Sequence, residues 1–189
     1  ILELFGICLI KKITVKTIRK LPFRGLESIP QAIKDFLDQK ISGFEDKVFS
    51  VENFAAQISA KGKSFTVSQR ALIQNAFKNQ LSDFSLSDLQ QKNIDNLSGE
   101  NTFTVTTGHQ LNLFSGPAFF IYKILQTVKT CSFLKDHFPE NEFVPVFWMA
   151  SEDHDFAEIN HFKTENAFYE INEKSGNAVG KIAVSDVSF

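Results

Sequence analysis

Two stretches decide the fold: Thr102-Phe103-Thr104-Val105-Thr106-Thr107-Gly108-His109-Gln110, and Phe143-Val144-Pro145-Val146-Phe147-Trp148-Met149 followed by Ser151-Glu152-Asp153-His154-Asp155. Residues 102–106 and 143–149 are rich in β-branched and aromatic side chains and predict two buried strands. Between them Ser115-Gly116 precedes Pro117, a residue suited to the first helical position, and the run closes at His137-Phe138-Pro139. Ile121, Ile124, Leu125, Val128 and Leu134 recur at helical spacing and predict one stripe facing a core. Strand, helix, strand is a βαβ unit with a right-handed crossover. Its strands run parallel, so both polar clusters leave at the same carboxyl edge, where ligands bind in open α/β sheets. The glycine turn and the acidic histidine loop are therefore expected to face one cavity.

Each cluster has a chemical reading. Gly108 is expected to bring the backbone close to a ligand, with φ above zero. The N-terminus of the following helix offers unpaired N–H groups to a phosphate or carboxylate. Thr107, Gly108, Gln110, Asn112 and Gly116 are the candidate binding residues at this turn, and His109 is a candidate catalytic donor. Gly108-His109 is a partial likeness to the His-x-Gly-His motif of nucleotidyl-transfer enzymes; neither G-x-G-x-x-G nor a P-loop is present. A tight turn around a hydrogen-bonded histidine is the structural alternative. Lys123 lies two turns along the helix from Gly116, on the same face, where it reaches a bound anion or is simply solvated.

Glu152-Asp153-His154-Asp155 cannot be buried cheaply after an apolar strand, so these groups are solvated, paired or turned to a ligand. His154 is the candidate base, because imidazole titrates nearest neutral pH. Asp153 and Asp155 are its candidate catalytic companions. Glu158 and His161 follow at helical spacing, and Glu152, Asn160 and His161 complete the candidate binding set. His154, Asp155 and His161 match no standard zinc spacing, and no metal is expected. A charged loop without a catalytic role is the alternative.

Composition narrows the partners. Of 189 residues, 43% are hydrophobic and 22% charged, which is ordinary for a globular protein. A net charge of −2 leaves no basic footprint for nucleic acid. Cys8 and Cys131 supply neither a disulfide framework nor a metal spacing, which points to a reducing, cytoplasmic setting. Cys131 is expected to be a small buried hydrophobe. Ile1 to Ile10 is apolar apart from Glu3 but lacks the layout of a secretory signal and is far too short for a membrane span. It is read as an upstream stretch or a packed edge strand, and the initial isoleucine as the mark of a fragment or a displaced start.

Three regions are expected. Residues 1–99 hold a short strand at Ile13–Ile18, then small amphipathic helices. The first is capped by Ser28 with Pro30 in its first turn; the second spans Val51–Ala60 and closes at Lys61-Gly62. The third, capped by Thr66 or Ser68, turns Leu72, Ile73, Ala76 and Phe77 to one side; the fourth runs from a Ser87 cap to Leu97-Ser98-Gly99. This region is read as plain helical packing, or as a lid over the sheet. Residues 100–163 hold the βαβ unit and both motifs. Residues 164–189 begin a β-containing insertion, with strands at Ala167–Ile171 and Lys181–Val184 about a Lys174–Asn177 turn. The fold class is α/β, a Rossmann-like but incomplete parallel sheet after a helical region, since two parallel strands are too few for a whole sheet.

Thr107 to Pro117, Tyr122-Lys123, Val144 to Phe156 and Glu158 to His161 resemble the bacillithiol-biosynthesis cysteine-adding enzymes, the BshC family. The resemblance is dense over Thr104–His161 and looser before it. It implies the N-terminal portion of a cytoplasmic ligase that joins cysteine to glucosaminyl-malate through an amide bond. It also implies a Rossmann core with inserted connective domains, and a homodimer formed through a C-terminal coiled coil lying beyond this chain. The activating agent is not written in the residues; ATP or another nucleotide is the expected one, because a carboxylate does not condense with an amine in water. On this reading Gly108, His109 and Gln110 hold a phosphate or carboxylate, while Asp153, His154 and Asp155 hold and deprotonate the attacking ammonium. A non-catalytic domain that binds a nucleotide or sugar acid is the competing reading, and a fragment inactive on its own is a third.

Overall fold

Thr102–His109 forms a strand, β1, and Glu142–Met149 a second, β2, joined by a helix at Ala118–His137. The computed structural model describes residues 21–44, 47–112, 116–171 and 178–183. β1 and β2 pair in parallel from Thr102↔Glu142 to His109↔Met149. In β1, Phe103 and Val105 are half-buried while Thr104 and Thr106 are exposed, the alternation of a strand covered on one face. The βαβ unit is thus as expected, and β1 continues three residues further, taking in Thr107, Gly108 and His109.

The described residues form two units, one up to Phe54 and one from Ala55 onward. In the first, α1 (Gln31–Leu37) follows a 3-10 turn at Phe23–Gly25. Pro30, not Ser28, is the N-cap of α1, and no side chain caps it. An ion pair from Arg24 to Asp38 closes the segment. That guanidinium, helped by Lys40, holds the Asp38 carboxyl below its usual range.

α2 (Val51–Ser64) does not stop at Gly62; it runs a full turn past Ala60. Its last turn carries Lys61 and Lys63, cations that favour a helix C-terminus, and one glycine costs only about 1 kcal/mol there. α3 (Val67–Gln80) and α4 (Asp88–Asn96) begin at complete capping boxes, Thr66 with Gln69 and Ser87 with Gln90. The expected apolar side of α3 is not its buried side: Leu72 is 70% exposed, whereas Arg70 is 4% exposed. The Arg70 guanidinium donates to the carbonyls of Gly99 (2.9 Å) and Thr102 (2.6 Å). It also lies over the rings of Phe65 and Phe103. Hydrogen bonds and ring contacts outbid the aliphatic stripe for the inward position.

The connecting helix, α5 (Ala118–His137), is capped by Pro117, which lies just outside it rather than at its first helical position. Its buried line is Thr127, Cys131 and Leu134, which pack on the strand pair beside Val144. Ile121, Leu125 and Val128, expected on the core stripe, are 40–52% exposed; of the named set Leu134 is buried and Ile124 half-buried. A sheet of two strands covers only a narrow strip of helix, so half of an apolar helix faces outward. Cys131 is buried as expected, and burial pushes its thiol up to about 11. At the other end of α5, Lys135 Nζ donates to the carbonyls of Pro139 and Asn141 (2.9 Å each) and to Glu142 (2.8 Å), tying the helix to the start of β2.

After β2 the chain turns through Phe156–Glu158, a 3-10 segment, into β3 (His161–Lys163), which pairs antiparallel with β4 (Phe168–Glu170). This hairpin replaces the expected one. The strand at Phe168 finds its partner upstream at His161, where Phe162 stacks on Tyr169, and Lys181 sits in a 3-10 turn. The expected Lys174–Asn177 turn and Val184 lie outside the described residues, as do Cys8, the strand at 13–18 and the apolar start.

Candidate functional site

β1 delivers the site. Beyond Thr107, Gly108 lies opposite Trp148 and His109 opposite Met149, and the Ala150 N–H donates to the His109 carbonyl at 3.0 Å. Both polar clusters therefore leave the sheet at the same edge. Gly108 has strand geometry rather than positive φ. At this position a side chain has no room. A Cβ would fall 2.9 Å from the Trp148 carbonyl oxygen and 3.1 Å from its Cβ. The positive φ belongs to Gly116, at 60°, where a Cβ would strike the Asn112 side chain at 2.7 Å.

Gly116 thus leaves room for the Asn112 side chain. The Asn112 amide nitrogen lies 2.9 Å from His109 Nδ1 and donates to the Gln110 carbonyl at 3.0 Å. The same Nδ1 lies 3.2 Å from the Gln110 carbonyl oxygen, so an amide group and a carbonyl both stand beside it. Nε2 faces Glu158 Oε1 at 3.6 Å. His109 is 8% exposed, and its ring lies against Phe119 and Phe120, at centroid distances of 5.0 and 5.9 Å. Gln110, 3% exposed, donates its amide to the other oxygen of Glu158. Its own Oε1 is buried without a hydrogen-bond partner among the described residues. An orphaned buried acceptor costs about 1–3 kcal/mol, and such imperfections in native structures call for an explanation.

Glu158 is the residue that the sequence reading left out of the site. It was placed at helical spacing before His161, but the segment is a 3-10 turn running into a strand. The available signal was Ile159, a lone apolar residue between Glu158 and Asn160. Ile159 is buried and holds the turn down, while the Glu158 side chain stays 47% exposed.

The remaining candidates are distributed as follows. Lys123 Nζ reaches the Gly108 carbonyl at 3.3 Å and lies over the Phe119 ring. Glu152 accepts from the Trp148 indole at 3.2 Å. Asp153 turns back on its own loop, its carboxylate accepting from the Asp155 N–H at 3.0 Å and its carbonyl from the Val179 N–H at 2.8 Å. His154 and Asp155 are exposed, and His154 does not contact His109; the carboxylate that faces that ring is Glu158. Asn160 pairs with His161 Nδ1 at 2.9 Å and with Glu170 at 3.3 Å. Among the described residues no three metal-ligating side chains gather.

Asn112, Gly116, Pro117, Glu158, His161 and Lys163 line a cavity of about 630 Å³ beside these groups. The size is that of a small-molecule site. It holds one carboxylate and one ammonium, and the start of α5 borders it.

The sequence has relatives. A family model described as bacillithiol biosynthesis BshC, N-terminal Rossmann-like domain, matches residues 18–189. The chain belongs to that family. A Flavobacterium psychrophilum protein named "Putative cysteine ligase BshC" is 45% identical over 159 residues, covering 82% of this chain and 30% of the relative. Proteins of the same name from Christiangramia forsetii (44% over 158 residues) and Flavobacterium johnsoniae (42% over 158 residues) also match 82% of this chain. The chain spans 29–30% of the length of these BshC relatives. Its fold is α/β of the Rossmann-like BshC kind, with helices before the parallel pair.

Proposed function

We propose that the complete protein is a ligase that forms an amide bond between the carboxyl group of cysteine and the amine of glucosaminyl-malate, closing bacillithiol biosynthesis. The observation that supports this reading is the parallel pairing of β1 and β2, which brings His109 and the start of the 151–155 loop to one edge of the sheet. Amide formation needs two things there. The carboxylate must lose an oxygen as part of a good leaving group, for which ATP or another nucleotide is the agent. The ammonium must lose a proton before its lone pair can attack. Thr107, Gly108, Gln110, Asn112, Gly116 and the start of α5 bind the activated carboxyl side, with His109 as donor and Lys123 near the leaving group. Asp153, His154 and Asp155, exposed to arriving substrate, bind and deprotonate the amine, with Glu152, Asn160 and His161 at the rim.

The layout follows: residues 1–99 a helical approach, 100–163 the site-bearing unit, 164–189 the opening of an insertion. The complete protein acts in the cytoplasm as a homodimer, through a region outside this chain. A coupled bacillithiol assay on the complete protein tests the reading. His154→Ala and Asp155→Ala are each expected to lower turnover about 10²–10⁴-fold, the usual worth of a general base. Full activity in both variants overturns the assignment.

A further inference from the structure

Two features of the cavity beside His109 are not used by the reading above. Glu158 Oε2 accepts from Gln110, and Oε1 faces His109 Nε2 at 3.6 Å, longer than a normal hydrogen bond. A carboxylate has about four acceptor sites, so with 47% of this side chain exposed it retains strong acceptor capacity toward the cavity. Lys163 lines the same cavity on β3, exposed and without an ion-pair partner among the described residues. Pro117 and Ile159 add apolar wall. An anion and a cation in one small concave site, with an apolar wall between, complement a zwitterion carrying a short apolar or soft side chain.

We infer that this cavity is the amino-acid site: Glu158 receives the α-ammonium group and Lys163, with the start of α5, the α-carboxylate. The inference rests on the ligase reading, and assigns to this cavity the cysteine and not the amino sugar. It separates two ammonium groups that one enzyme must keep apart. The amine that must be deprotonated lies at the exposed 153–155 loop, and the amine that must stay protonated and unreactive is neutralised by Glu158.

Calorimetry on the complete protein tests this, with L-cysteine, N-acetyl-L-cysteine, cysteamine and glucosaminyl-malate as separate ligands. The wild type is expected to bind L-cysteine at least about 10-fold more tightly than either analogue, since each lacks one charge. Glu158→Gln, an isosteric change, is expected to weaken L-cysteine about 10-fold or more and to erase the discrimination against N-acetyl-L-cysteine. Lys163→Ala is expected to erase the discrimination against cysteamine. Both variants are expected to keep glucosaminyl-malate affinity within about 2-fold, which also reports that they are folded. Equal binding of all three thiols by the wild type overturns the inference without recourse to any variant. So does unchanged L-cysteine affinity in Glu158→Gln, or equal weakening of the sugar ligand. The ligase reading fails separately, when wild-type protein given cysteine, glucosaminyl-malate and ATP releases no amide product.

Discussion

The two ends of β1 each bury a charged or polar side chain, and they do it in opposite ways. At the Thr102 end Arg70 is 4% exposed and its guanidinium is taken up by two backbone carbonyls and two aromatic rings. At the His109 end Gln110 is 3% exposed yet leaves an acceptor unused, and the carboxylate it supports is half open to a cavity. Burial of polarity is common to both, so burial does not mark the site. What marks it is hydrogen-bonding capacity left over next to empty space. A closed network supplies stability, whereas an open one is held ready for something else.

The comparison breaks most visibly at the closed end. Arg70→Met should cost about 3 kcal/mol in urea unfolding, because two charge-assisted hydrogen bonds vanish and two carbonyls lose their donor. A loss under about 1 kcal/mol would show that Arg70 is merely covered and not structural. Next in size is Gly108→Ala, which places a methyl 2.9 Å from a β2 carbonyl oxygen and should cost about 1–3 kcal/mol as the strands part. A neutral result would show that the strand pair yields to a methyl group there.

Lys135→Ala should cost about 1 kcal/mol near pH 7, mostly through its two carbonyl contacts, since an exposed ion pair is screened. The Lys135 hydrogen bond holds the Glu142 carboxyl below its ordinary 4.5. The pair's share is therefore present above that value and lost as pH falls through the folded-state value. The gap between wild type and variant should narrow in acid melts, and a gap that widened would reverse the sign. The smallest effect is expected from Gln110→Leu. It gives up one bond to Glu158 but removes the orphaned oxygen, so stability should shift by less than about 1 kcal/mol while ligand binding at the cavity suffers.

Much of this arrangement could be read in the residues. Thr102–Thr106 and Phe143–Met149 declare themselves by β-branched and aromatic content, and the Thr66 and Ser87 capping boxes by a glutamine three residues on. His109, Gln110 and Asn112 do converge. What could not be read depends on who covers whom. Leu72 and Leu125 carry the right periodicity, but two strands cannot cover every apolar residue on the helices, and Arg70 takes the inward place through contacts thirty residues away in sequence. Glu158 was hidden for a related reason, because a three-residue 3-10 turn leaves no periodic trace.

Gly116 reaches further than its size suggests. Because it has no side chain, the Asn112 amide nitrogen can come within 2.9 Å of His109 Nδ1 while it donates to the Gln110 carbonyl. The Nδ1 edge of the imidazole is thereby engaged by its own turn. Nε2, on the Glu158 side, is the nitrogen left for an incoming molecule, so the absence of one methyl group decides from which side the ring is met.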